Sequence, residues 1–112
     1  MSKEKVAELN DFVRNNLYQV GLTKNKLLLT SGVSALGEER VNAILEKVKN
    51  FNDFSEDNNP YGEKDFGSIN NEGAKIFWKI DYYDNEMKYH SEDKSDPNKT
   101  VRVLTVMKSS EY

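Results

Sequence analysis

The sequence predicts an α+β fold: two main helices packed on one face of a small antiparallel sheet, made of a three-stranded C-terminal meander and a less sharply signalled fourth short strand. Three observations carry this expectation. Residues 3–20 and 38–50 repeat apolar side chains at three- and four-residue steps, residues 74–83 alternate, and residues 101–108 are apolar on both alternating sets. Helical segments first and strands afterwards are the order of an α+β domain with its layers segregated. At 112 residues the chain is expected to form one domain, 1–112, with one modest core.

The first helix is read over residues 3–20, with Val6, Leu9, Val13, Leu17 and Val20 facing the core and Glu4, Glu8, Asp11, Arg14 and Asn15 facing solvent. Ser2 suits its N-cap, and Gly21 suits the position just past its end. Lys26 to Thr30 reads as a short strand, Val33 to Leu36 as a turn of helix, and Glu38 to Asn50 as the second full helix. In that helix Val41, Ile44, Leu45 and Val48 share one face, continued by Phe51. Its acidic start, Glu38 and Glu39, and its basic end, Lys47 and Lys49, match the helix dipole.

Between Asn52 and Gly67 the periodicity is lost to Asn, Asp, Gly and Pro, the composition of a long loop. Asp65 to Ile69 is expected as a strand, Asn70 to Gly73 as a hairpin turn, and Ala74 to Tyr83 as the return strand. There Ile76, Trp78, Ile80 and Tyr82 form the expected core face, against Phe77, Lys79, Asp81 and Tyr83 on the other side. Ser95-Asp96-Pro97-Asn98 is a turn, and Val101 to Lys108 is a strand inside the sheet, since both of its faces are apolar.

Composition limits the chemistry. Charged residues make up 31% and hydrophobic ones 37%, with no cysteine and one histidine, His90. Disulfides, thiolate metal sites, cysteine nucleophiles and multi-histidine sites are thereby excluded. No apolar run reaches the roughly 18–20 residues that span a bilayer, and Met1 to Lys5 lacks the apolar core of a signal peptide, so no membrane association and a cytoplasmic location are expected. The net charge of −3 is unevenly spread: residues 1–50 carry eight Lys/Arg and six Asp/Glu, residues 51–100 six and twelve. An acidic middle repels phosphate backbones and attracts a basic protein surface, so a protein partner is expected and direct nucleic-acid binding is not.

The stretch from Asn58 to Asp84 concentrates the candidate chemistry. Asp53, Glu56, Asp57, Glu63 and Asp65 could offer oxygen ligands to calcium or magnesium. An EF-hand register started at Asp57 fits Asn59 and Gly62 but puts Tyr61 and Ser68 at ligand positions, which favours solvated carboxylates and no metal. Acid–base catalysis would draw on Glu63, Asp65, Asp81, Asp84 and His90, yet nothing in their spacing brings a pair together. Gly62, Gly67 and Gly73 do not make a phosphate-cradling motif, so no cofactor is expected. The remaining reading is a non-enzymatic binding surface built from Asp53, Glu56, Asp57, Tyr61, Glu63, Asp65, Asp81, Tyr83 and Asp84, with Tyr61 and Tyr83 as anchors.

The same stretch resembles an uncharacterised family of small bacterial proteins carried on chromosomes, plasmids and prophages. The pattern of that family reads approximately Asn-Asp-Pro-Tyr-Gly-Glu-His-Asp-Phe-Gly, then Trp-Lys-Ile-Asp-Tyr-Tyr-Asp, Asp-Pro, and Thr-Arg-Val-Leu-Thr. Here it is met by Asn58, Pro60 to Glu63, Asp65 to Gly67, Trp78 to Asp84, Asp96-Pro97, Thr100 and Arg102 to Thr105. Leu9 to Arg14 and Leu29 to Val33 fit as well. Asn59 stands where the pattern has Asp, and Lys64 where it has His, and both changes remove a potential ligand or acid–base group. The resemblance implies no activity. Its link to mobile elements, together with a general similarity in character to anti-CRISPR proteins, implies an inhibitor of a host nucleic-acid-handling defence complex. The alternative is a small metal-dependent or acid–base hydrolase using Glu63, Asp65 and Asp81.

Overall fold

The computed structural model describes residues 2–112. In chain order it comprises helix α1 (Lys3–Asn15), a 3-10 helix (Leu17–Leu22), strand β1 (Lys26–Leu29), a short helix α2 (Ser31–Ser34), helix α3 (Glu38–Lys49), strands β2 (Phe66–Asn71), β3 (Ala74–Tyr83) and β4 (Val101–Lys108), and a 3-10 turn (Ser109–Glu111). Among the described residues the strands form one four-stranded sheet in the order β1-β4-β3-β2. The fold is α+β.

The sheet is mixed, which corrects the expected antiparallel one. β2, β3 and β4 pair antiparallel, whereas β1 runs parallel to β4, with Leu27 opposite Leu104 and Leu29 opposite Val106. A long connection through α2, α3 and the β2–β3 hairpin separates these two strands, so the chain can re-enter beside β1 in the same direction. A four-residue apolar strand carries no signal of its partner's direction. The consequence for β4 is as expected: flanked on both sides, it is buried on both faces.

The hairpin turn is Glu72-Gly73, with φ of +48° and +86°, the two left-handed residues that a tight connection between twisted strands requires. Ile76, Trp78, Ile80, Leu104 and Val106 project to the side covered by the helices and pack with Val13, Leu17, Val33, Ile44 and Val48 in the core. Trp78 is fully buried, and its ring lies over its cross-strand partner Gly67. A Cβ on Gly67 would meet the indole and, at 2.8 Å, the Phe51 ring, so this position has room only for glycine.

The first helix is shorter than its periodicity predicts. Ser2 caps its start, with Oγ accepting from Lys5 N at 3.2 Å. It ends at Asn15, and the next residue folds back on it, Asn16 Nδ2 donating to the Phe12 carbonyl at 2.8 Å. Asparagine competes for backbone groups in this way and interrupts helices. The 3-10 helix that follows still buries Leu17 and Val20, so the apolar repeat is kept although the α-helix is not.

Arg14 also departs from expectation: it is buried, not solvent-facing. Its Nη1 donates to the carbonyls of Val48 (3.2 Å), Lys49 (3.3 Å) and Phe51 (2.7 Å), while Nη2 pairs with Asp11 at 2.7 Å. Carbonyls at a helix C-terminus lack intrahelical donors, and Arg14 supplies them from the neighbouring helix, stacked against Phe54 and Trp78. It thus closes the end of α3 and the start of the long loop in one contact.

Candidate functional site

The long loop, residues 50–65, returns to the sheet beside the helix-facing side of β3, and its last residues enter a polar network. Tyr82 is half-buried, at the end of the core face expected for it. Its hydroxyl donates to Asp65 Oδ2 at 2.9 Å and accepts from Asn10 Nδ2 at 2.8 Å. Asn10, fully buried on α1, also donates to the Glu63 carbonyl at 2.9 Å, and its Oδ1 accepts from Arg102 Nε at 2.8 Å. Arg102 Nη2 donates to the Lys94 carbonyl, and Lys94 Nζ pairs with Glu63 at 2.7 Å. The Lys94 ammonium and the Arg102 guanidinium both lie over the Tyr82 ring, at 5.1 and 5.2 Å.

The charges here balance, two cations against two carboxylates, and the environment sets how each group holds its proton. Burial pushes the Asp65 carboxyl up and Glu63 adds to the rise, while the Tyr82 hydroxyl and Lys94 oppose it. Burial and the Asp65 charge together push the Tyr82 hydroxyl far up, so it remains a donor. Burial lowers the Arg102 guanidinium. The network ties α1, the loop base, β3, β4 and the 91–100 segment to one another.

The loop is closed by its own side chains. Asn59 Oδ1 accepts from Lys64 N at 2.8 Å, Asn58 Oδ1 accepts from Ser55 N at 2.8 Å, and Lys64 takes a positive φ of 55°, two residues after Gly62 at 70°. An aspartate at position 59 would accept the same bond, so this position acts in loop closure. Lys64 reaches Asp11 at 3.6 Å and lies over Phe54.

The nine residues expected to form one binding surface fall into three places. Asp53, Glu56, Asp57 and Tyr61 are exposed on the loop, Tyr61 at 74%. Glu63 and Asp65 are held in the network. Asp81, Tyr83 and Asp84 belong to another region: Asp81 projects from the opposite face of the sheet and pairs with Lys79 at 3.0 Å, and Tyr83 stacks on His90 at 5.9 Å. Asp84 Oδ1 accepts from Lys88 N at 3.0 Å and so closes a turn. Strand alternation therefore separates Asp81 from Glu63 and Asp65. Among the described residues, no three His, Cys, Asp or Glu side chains are grouped to hold a metal ion.

Sequence reasoning did not single out Asn10, Lys94 and Arg102. Asn10 and Arg102 do lie in the stretches that carry the family pattern, and that was the available signal.

Fold and site define a small α+β protein whose loop is anchored by a polar network and whose outer carboxylates face solvent. The family described as "Protein of unknown function (DUF3768)" matches residues 29–111, and the chain belongs to it. Neither the curated proteins nor the solved structures give a match. Among the described residues no helix is long and apolar enough to cross a membrane.

Proposed function

We propose that the protein is a non-enzymatic binding module for a protein with a basic surface. One observation carries the reading: the loop is pinned at its base by the network around Tyr82, while Asp53, Glu56, Asp57 and Tyr61 stand exposed on it. A rigidly based loop presents its carboxylates with little ordering cost on binding. Carboxylates beside an exposed tyrosine suit a partner's Arg and Lys through ion pairing and cation–π contact. The most concrete form is an inhibitor of a nucleic-acid-handling host defence complex, of the anti-CRISPR kind, occupying a surface that otherwise holds phosphate in the cytoplasm. The acidic middle of the chain supports this form.

The hydrolase reading is weaker, because Asp81 lies across the sheet from Glu63 and Asp65 and these two are already engaged by Lys94 and Tyr82. Affinity capture from a host lysate at low salt tests the proposal. Recovery of a nucleic-acid-binding complex with the intact chain, and its loss with an Asp53→Asn, Glu56→Gln, Asp57→Asn variant, is the expected result. Equal capture by both proteins, or capture of no basic partner, overturns it.

A further inference from the structure

We infer that the outward side of α1 seats an amphipathic, basic helix of the protein partner, with Phe12 at the centre of the contact. This rests on the reading of the chain as a binding module and adds where the partner's apolar residues go. Phe12, in the last turn of α1, is 66% exposed. Three depressions meet at it. A groove of about 640 Å³ runs between α1 and the loop, walled by Glu4, Glu8, Asp11 and Lys64. A pit of about 170 Å³ lies between α1 and the 3-10 helix, lined by Val13, Val20 and Leu22. A third depression, about 260 Å³, reaches Pro97 and Thr100. Leu22, 89% exposed, extends the apolar surface.

A contiguous apolar strip rimmed by polar groups marks an interaction site, and the rim on the groove side selects the occupant, whereas the third depression carries Lys24 and Arg102 and no carboxylate. The groove wall carries three carboxylates against one lysine. Asp11 is occupied by Arg14 and Lys64, at 2.7 and 3.6 Å, which leaves Glu4 and Glu8 to receive cations. Glu4 accepts from the exposed Ser2 hydroxyl at 3.2 Å, and Glu8 meets Lys5 at 4.0 Å between exposed side chains, contacts that yield readily. A helix fits this combination: leucine-like residues at three- and four-residue spacing enter the pit around Phe12, and flanking Lys or Arg meet Glu4 and Glu8. Acidic lipid surfaces and nucleic acid are repelled by the same wall.

A labelled synthetic helix of leucine and lysine with that spacing, and a scrambled peptide of identical composition, would be titrated into the full chain by fluorescence anisotropy. Phe12→Ser and Leu22→Ser, both at exposed positions, are each expected to weaken binding of the patterned helix about tenfold or more. A Glu4→Gln, Glu8→Gln variant is expected to weaken it about threefold and to flatten its salt dependence. Equal binding of the patterned and scrambled peptides, or of the intact and Phe12→Ser proteins, overturns the inference. If the groove fails while the loop still captures a basic protein, the proposed function stands without it; if the groove binds the helix while that capture fails, the fault lies in the proposed function.

Discussion

The Tyr82 hydroxyl donates to Asp65 at 2.9 Å, joining the C-terminal end of β3 to the residue at which the long loop ends. Because Asn10 donates to the same oxygen, removal of that oxygen leaves the buried Asn10 amide and the half-buried Asp65 carboxylate each one hydrogen bond short. Tyr82→Phe is therefore expected to destabilise the fold by about 1–3 kcal/mol. Urea denaturation of the two proteins, compared at unchanged slope, measures it.

Asp65 gives the fold a pH signature of defined sign. Its carboxyl titrates above the ordinary 3.8 because burial disfavours the charged form. Between that value and the raised one the folded state binds more protons than the unfolded state. The contribution of this group is fully present at lower pH and is lost as pH rises through the folded value. The stability of Asp65→Asn relative to the parent should accordingly rise with pH across that interval and level off above it. Denaturation midpoints across the acid range would show this, and a relative stability falling with pH would contradict it.

Arg14 closes the end of α3 by donating to three carbonyls while pairing with Asp11. Arg14→Leu takes the side-chain donor from the Lys49 and Phe51 carbonyls and leaves Asp11 with Lys64 alone, at an expected cost of about 1–3 kcal/mol. Combined replacement of Asp53, Glu56 and Asp57 by their amides touches only exposed positions and should stay within about 0.5 kcal/mol. Thermal unfolding of both variants separates the structural charge from the surface ones.

Gly67→Ala forces a methyl group against the Trp78 indole and the Phe51 ring. Overpacking of this kind costs about 1–3 kcal/mol. Since Trp78 is the only tryptophan, a shift of its emission maximum toward that of a wetter indole, together with a lower unfolding midpoint, reports the strain.

Much of this architecture was legible in the chain. Alternation in 74–83 and the doubly apolar 101–108 yielded β3 and β4 with their bounds, and the 38–50 repeat yielded α3 to within a residue. The parallel β1–β4 pairing was not legible, because the direction of a short apolar strand depends on distant packing. Arg14 was misread for a related reason: helical periodicity places it with Asp11 on a polar face, whereas its role is defined by carbonyls at the end of another helix. The candidate site was legible in composition only. Glu63, Asp65 and Asp81 are close in sequence, and it is strand alternation, with the reach of Tyr82 and Lys94, that puts two of them inside and one across the sheet.

The exposed carboxylates of the anchored loop are proposed to bind a basic protein surface that otherwise holds phosphate. This binding is tested most directly by displacement: the captured complex, loaded with fluorescent nucleic acid, is titrated with the intact chain and with the Asp53→Asn, Glu56→Gln, Asp57→Asn variant at low and high salt. Release by the intact chain, weakened by salt, and at least about tenfold weaker release by the variant are the expected results. Nucleic acid that stays bound at saturating protein, or release that is equal for both proteins, would contradict it.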